Sequence, residues 1–174
     1  HGIPDFHINV NLSVVQLLQK DVAETVARIL KKTGVNPKNI VLEITESFAI
    51  NDMDRVLDII KGIKKLGPRI ALDDFGTGYS SLNYIKQLPL DIIKVDKTFI
   101  DDIVDDDYAK AFVKLIVELS KTIGTKICVE GVESREQYEV LSQIGVDYIQ
   151  GYYFGKPVPA NIFEEKNLEG RLGK

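Results

Sequence analysis

The feature that most constrains the fold of this chain is an alternation of short and long apolar segments. The short segments are rich in Val and Ile, as the buried strands of parallel sheets are. They are Phe6–Leu12, Ile40–Thr45, Arg69–Asp73, Ile92–Val95, Lys126–Val129 and Tyr148–Ile149. Most of the longer segments between them have helical spacing. A strand–helix order repeated in this way predicts a parallel sheet covered by helices.

Capping and stop residues bound the helical segments. The first helix is predicted to run from about Val14 to Lys32, with Ser13 as its N-cap and Gly34 after its end. The others are predicted at Met53–Leu66, directly after Ser81, at Tyr108–Ile123 and at Ser134–Ile144, where Ser134 and Gln137 form a capping box. A closed barrel of alternating strands and helices needs eight strands, and only six are found. The pattern therefore fits either an open sheet or a barrel with about a quarter missing.

Composition excludes some classes of partner. The chain has 174 residues, of which 44% are hydrophobic and 28% charged, and its net charge is -4. This acidic balance argues against non-specific binding to DNA or RNA. No apolar run approaches the roughly 20 residues of a membrane helix. The single cysteine, Cys128, lies in an apolar run and is interpreted as a small buried side chain rather than a nucleophile.

Polar residues stand at or near the ends of all six predicted strands. The set comprises Asn11, Glu43, Asp73, Asp74, Lys94, Glu130 and Gln150. The carboxyl ends of parallel barrel strands meet at one mouth, where active sites lie. Carboxylate and amide oxygens gathered there predict a site for a hard divalent cation such as Mg²⁺ or Mn²⁺.

Most of these residues also have a structural interpretation. Asn11 could cap the following turn, and the acidic pair Asp73-Asp74 could form a turn before Gly76. Lys94 could be a structural ion-pair partner. Glu130 and Gln150 could be turn residues that end their strands. Glu43 is the exception, because a Glu between Leu and Ile inside a strand is rarely a surface residue. The joint pattern, with all of these residues in equivalent positions, favours one functional site.

The segment from Asp73 to Leu82, with the sequence Asp-Asp-Phe-Gly-Thr-Gly-Tyr-Ser-Ser-Leu, leads from a strand into a helix. It lacks the Lys of a phosphate-binding P-loop. With the other strand ends it resembles the successive motifs of EAL domains. The matching segments are Val10–Ser13, Leu42–Glu46, Asp73–Ser81, Ile93–Asp96, Val129–Glu133 and Gln150–Tyr152.

The resemblance implies a fold and a reaction. EAL domains are TIM-like β/α barrels, and they hydrolyse cyclic di-GMP to linear pGpG with two Mg²⁺ or Mn²⁺ ions in bacterial signalling. By resemblance, Asn11, Glu43 and Asp73 would bind one metal. Asp73 would bridge to the second metal, with Asp74 and Glu130.

The resemblance also implies roles around the metals. Lys94 would orient the attacking water, and Glu130 is a candidate both for metal ligand and for general base. Glu46 would hold the loop Asp74–Ser81, and Gln150 would line the nucleotide pocket. An EAL-like module that binds the nucleotide or a protein partner without catalysis is the alternative.

The chain departs from the family pattern in one respect. The Glu-Ala-Leu segment that names the family, with its Arg two positions later, is not found in the sequence. Residues 1–174 are therefore interpreted as about the C-terminal three quarters of one EAL domain, without its N-terminal strands. The chain alone is expected to be impaired as an enzyme.

The resemblance further suggests partners and a location. A homodimer is expected through the helix Tyr108–Ile123, whose apolar stripe is predicted to pack on the barrel. The stripe comprises Ala111, Phe112, Leu115, Ile116 and Leu119. An upstream sensor or GGDEF domain and a cytoplasmic location of the domain are also expected.

Overall fold

The computed structural model describes residues 6–45, 53–77 and 82–167. Its six strands form one sheet in chain order, and every neighbouring pair is parallel. The strands are β1 (Ile8–Asn11), β2 (Ile40–Thr45), β3 (Arg69–Phe75), β4 (Ile92–Val95), β5 (Lys126–Val129) and β6 (Tyr148–Ile149). This order confirms the predicted parallel sheet, which is an incomplete TIM-like barrel.

Helices lie between consecutive strands and cover one face of the sheet, and a last helix follows β6. They are α1 (Val14–Leu17), α2 (Val22–Thr33), α3 (Met53–Lys64), α4 (Leu82–Gln87), α5 (Asp107–Ile123), α6 (Arg135–Ile144) and α7 (Ala160–Asn167). Ser134 and Gln137 form the predicted capping box of α6. The sequence patterns did not predict α7 or the two short 3₁₀ turns at Pro37–Asn39 and Lys97–Phe99. Within the described ranges, no helix is both long and apolar enough to span a bilayer.

The prediction of one helix from Val14 to Lys32 is wrong, because a turn at 18–21 divides it into α1 and α2. Ser13 and Gln16 close the single turn of α1 as a capping box. Leu17 and Val22 are both buried, on either side of the break. In one continuous helix they would be rotated by about 140° from each other, at roughly 100° per residue. The turn therefore allows both side chains to reach the core.

The prediction of which α5 residues pack on the barrel is also partly wrong. The helix buries Ala109, Val113, Ile116 and Val117, whereas Leu115 is 63% exposed. The helix is apolar on more than one side, so its spacing alone did not identify the packed face.

The core lies between the sheet and the helices. Strand residues such as Leu42, Leu72 and Ile127 pack there against Ile60 of α3 and Val113 of α5. Because side chains alternate along a strand, the intervening residues form the opposite face of the sheet. That second face carries most of the polar residues named above.

Two aspartates connect neighbouring strands at the amino end of the sheet. Asp91 precedes β4, and its carboxylate accepts a 2.8 Å hydrogen bond from the Ile70 N–H and lies 2.8 Å from Lys64 Nζ. Asp147 precedes β6, accepts a 2.9 Å hydrogen bond from the Ile127 N–H and pairs with Lys126. Each carboxylate thus fixes the start of one strand relative to the next.

Candidate functional site

The candidate site lies at the carboxyl ends of the central strands. Strand register places Asn11 beside Glu43, and Lys94 beside Cys128, two residues before Glu130. Glu43, Asp73, Lys94 and Glu130 meet on the face of the sheet that turns away from the helices. Their contacts with Lys94 thus bring together residues that are far apart in the sequence.

Lys94 is the centre of this cluster. Its ammonium Nζ lies 2.6 Å from Glu43 Oε1, 2.8 Å from Asp73 Oδ1 and 2.8 Å from Glu130 Oε1. Lys94 and Glu43 are only 4% and 6% exposed. One buried cation thus faces three carboxylates, which leaves the cluster with excess negative charge.

The excess charge and the burial shift the pKa values of the cluster. Burial of the Lys94 ammonium lowers its pKa, but its contacts with Asp73, Glu130 and Glu43 outweigh burial, so the pKa lies above the ordinary value. Burial raises the pKa of Glu130, which Lys94 only partly offsets. Burial and the neighbouring Asp73 raise the pKa of Asp74. The carboxyl groups of Glu130 and Asp74 therefore carry an electrostatic cost that a bound cation would reduce.

An irregularity in β3 brings the adjacent Asp73 and Asp74 together. In the pairing with β4, Leu72 faces Ile93 and Phe75 faces Val95, so two aspartates stand opposite the single residue Lys94. This is the arrangement of a β-bulge. Asp74 has a positive φ of 56°, a left-handed conformation that Asp tolerates better than most residues. A regular strand would point the two carboxylates to opposite faces, whereas the bulge lets both reach the site.

Asp73, Asp74 and Glu130 satisfy a geometric requirement for a shared cation. Each offers one carboxylate oxygen, and the three oxygens lie within 4.8 Å of one another. Asp73 Oδ1 is buried and faces Lys94 Nζ at 2.8 Å, an ammonium that it shares with Glu43 and Glu130. A single ammonium cannot balance this many carboxylates, so the excess negative charge favours a further cation. The residues therefore fit hard divalent cations such as Mg²⁺ or Mn²⁺.

Two aromatic rings support the loop that follows Asp74. Phe99 and Phe112 stack with a centroid distance of 4.3 Å. Gly76 has a φ of 98° and lies so close to both rings that an added Cβ would come within 2.7 Å of Phe99 and 3.3 Å of Phe112. The rings leave room only for glycine here, and they connect the loop to α5, which carries Phe112.

The other predicted site residues lie at the margin of the cluster or outside the described ranges. Asn11 is exposed at the end of β1, next to Glu43. Gln150 shares a cleft of about 300 Å³ with Glu130, Asp96 and Tyr152. Glu46 lies outside the described residues, as does much of the loop Asp74–Ser81 that it was predicted to hold.

Two polar residues of this region were not predicted. Asn9 Nδ2 donates a 2.7 Å hydrogen bond to Glu43 Oε1. Asp96 lines the cleft beside Glu130 and also caps the turn Lys97–Phe99 by accepting hydrogen bonds from Thr98. Both had a sequence signal, because Asn9 shares a strand face with Asn11 and Asp96 directly follows β4.

The buried Cys128 has a pKa raised to about 12, chiefly by burial, which agrees with its interpretation as an unreactive side chain.

Sequence comparison identifies close similarity to one family. The family model of the EAL domain matches residues 1–157. The bifunctional diguanylate cyclase/cyclic di-GMP phosphodiesterase MucR of Pseudomonas aeruginosa is 40% identical over 91% of this chain, which is 23% of its own length. The probable cyclic di-GMP phosphodiesterase PdeA of Escherichia coli is 39% identical over 87% of this chain and 21% of its own length. The chain thus spans less than a quarter of these two relatives.

Solved structures agree with the sequence comparison. The PaMucR phosphodiesterase in its c-di-GMP complex superimposes with a TM-score of 0.87 at 40% identity, over 93% of this chain and 66% of the solved chain. The Klebsiella pneumoniae protein BlrP1, in a manganese and cyclic di-GMP complex, has a TM-score of 0.80 at 29% identity, over 87% of this chain and 39% of that one. Together with the match over residues 1–157, this shows that the chain belongs to the EAL domain family.

Proposed function

We propose that this chain is the catalytic part of a phosphodiesterase that hydrolyses cyclic di-GMP to linear pGpG by a two-metal mechanism. The observation that carries the proposal is the group of Asp73, Asp74 and Glu130, whose oxygens lie within 4.8 Å of one another beside the buried Lys94. Relatives named as cyclic di-GMP phosphodiesterases and a c-di-GMP complex of a similar structure support the choice of substrate.

The donor set suggests how two cations would be held. Asn11, Glu43 and Asp73 would hold one cation. Asp73, Asp74 and Glu130 would hold the other, so that Asp73 belongs to both sets. When bound, a pair of such metals lowers the pKa of a water and neutralises charge on the phosphoryl oxygens.

The remaining residues would act on the water and on the nucleotide. Lys94 lies 2.8 Å from both Asp73 and Glu130, and its ammonium would orient a water held beside those carboxylates. Glu130 has a raised pKa and would serve either as a ligand or as the base that accepts the water proton. Gln150 and the cleft beside it would contact the nucleotide, and Glu46 would hold the loop after β3.

The proposed function is tested with the protein at its full encoded length. Purified protein is stripped with EDTA and mixed with cyclic di-GMP, and pGpG is followed by chromatography with and without Mg²⁺ or Mn²⁺. We expect conversion that requires the metal. Binding of cyclic di-GMP without any conversion in either metal would contradict the enzyme and support a nucleotide-binding module.

We also propose that the chain forms a homodimer through α5. Tyr108 and Leu115 are 73% and 63% exposed, and Ala111 is exposed between them. The spacing of these three residues places them along one side of the helix. Exposed apolar stripes of this kind mark contact surfaces, and an antiparallel pairing of two α5 helices would bury both stripes.

The upstream domains of the whole protein, a sensor or a GGDEF domain, would regulate the enzyme.

The substitution Leu115→Glu should weaken the homodimer at least tenfold. Burial of a Leu side chain contributes roughly 1.5–3 kcal/mol, and each 1.4 kcal/mol corresponds to about a factor of ten. The dissociation constant of the dimer is measured by sedimentation equilibrium. Lys121→Glu, on another side of the same helix, is the control for a change of charge. A wild-type protein that is monomeric at tens of micromolar would refute the dimer.

A further inference from the structure

The strand β1 contributes a second amide besides Asn11 to the neighbourhood of the metal site. Asn9 precedes Asn11 by two residues, so both belong to the same face of the strand. Asn9 is paired in register with Val41, and Glu43 lies two residues further along β2. The side chains of Asn9 and Glu43 meet diagonally across the two strands, where Asn9 Nδ2 lies 2.7 Å from Glu43 Oε1.

The hydrogen bond determines which oxygen of Glu43 remains available. Oε1 already lies 2.6 Å from Lys94 Nζ, so two donors from two different strands converge on the same oxygen. An ionised carboxylate accepts hydrogen bonds only, and the amide nitrogen of Asn9 is therefore the atom that must face it. With Oε1 held between Asn9 and Lys94, Oε2 is the oxygen that can bind a cation.

We propose that Asn9 is a positioning residue of the metal site, which orients the Glu43 carboxylate through this hydrogen bond. Asn9 touches neither the metals nor the nucleotide in this assignment and acts through Glu43 alone. Hydrogen bonds to metal ligands fix their orientation, and their loss typically weakens metal binding roughly 10–100-fold. The assignment rests on the metal site in the proposed function, and it adds a residue outside the set inferred from the sequence.

The test measures binding of Mn²⁺ by the protein at full length, from the electron paramagnetic resonance signal of the free ion. Asn9→Leu, which has a similar size and no donor, should bind the tighter Mn²⁺ ion roughly tenfold or more weakly than wild type. Asn9→Ala removes the donor without added bulk and provides the same test if Leu disturbs the strand. His7→Leu is the matched control, because His7 is exposed on the same face of the chain two residues before Asn9.

A double-mutant cycle separates positioning from a general effect on the strand. If Asn9 acts through Glu43, then Asn9→Leu should change Mn²⁺ affinity little in a protein that already carries Glu43→Gln. Equal losses in both backgrounds would refute the positioning role. If wild type binds Mn²⁺ and both Asn9→Leu and Asn9→Ala bind it with unchanged affinity, the role of Asn9 is refuted while the metal site stands. A wild-type protein that binds no Mn²⁺ would refute the metal site and the assignment together.

Discussion

Replacement of Asp73 by Asn should reduce turnover of cyclic di-GMP by roughly a thousandfold or more. Asp73 belongs to both proposed cation sites and is the residue that joins them. A metal contributes several kcal/mol of charge stabilisation in a transition state, and about 1.4 kcal/mol corresponds to a factor of ten in rate. The rate of pGpG formation is measured at saturating Mg²⁺ in the protein at full length.

The amide is chosen because it retains the size of the side chain and removes its charge. Lys94 would keep Glu43 and Glu130 as partners, so the fold is expected to remain. Asp58→Asn, at an exposed position of α3, is the matched control and should leave the rate unchanged. Asp74→Asn should also remove most of the cleavage, because Asp74 belongs to the second proposed cation site. Near wild-type turnover of Asp73→Asn would rule out the bridging role.

Replacement of Lys94 by Met should affect catalysis and metal binding in opposite directions. Loss of a charged hydrogen bond costs about 1.5–3 kcal/mol, so turnover should fall by roughly ten- to hundredfold. Affinity for Mn²⁺ should rise by about tenfold, because a cation within 2.8 Å of three carboxylates opposes a second cation there. Without metal, the variant should unfold at lower temperature than wild type, since three buried or partly buried carboxylates lose their counter-charge.

The three measurements on Lys94→Met are turnover, the Mn²⁺ dissociation constant and the melting temperature with and without Mn²⁺. Lys121→Met removes a charge on an exposed part of α5 and should change none of them. Lys94→Arg retains the charge and should keep the metal affinity near that of wild type. If Lys94→Met bound Mn²⁺ more weakly than wild type, the ammonium would have to support the metal rather than oppose it.

The strands were predictable as short apolar runs, most of them rich in Val and Ile, and β2 to β5 each bury several residues. Ile40–Thr45, Ile92–Val95 and Lys126–Val129 have the predicted limits. The helix limits depended on local hydrogen bonds: the capping box of Ser134 and Gln137 was visible in the sequence, whereas the turn that separates α1 from α2 was not. The turn is selected by the burial of Leu17 and Val22, which is a property of the assembled core.

The candidate site was predictable as a set of residues but not as a geometry. Glu43, Lys94 and Glu130 could be selected because each is a polar group next to apolar strand residues. The register of four strands determines that Lys94 contacts three carboxylates. The bulge in β3 allows both Asp73 and Asp74 to reach the same site. The contact of Asn9 with Glu43 is diagonal between strands, so the spacing of either strand alone does not reveal it.

The aspartates at the amino end of the sheet have a consequence for how this domain can evolve. Asp91 and Asp147 fix strand starts by hydrogen bonds to Ile70 and Ile127, far along each strand from the residues that would perform catalysis. Ligands at the carboxyl end can therefore be exchanged while the alignment of the strands is maintained by the opposite end. A descendant that lost Asp73 would keep its architecture and the cleft beside Glu130. From the proposed phosphodiesterase, gene duplication followed by such a loss would yield a folded receptor.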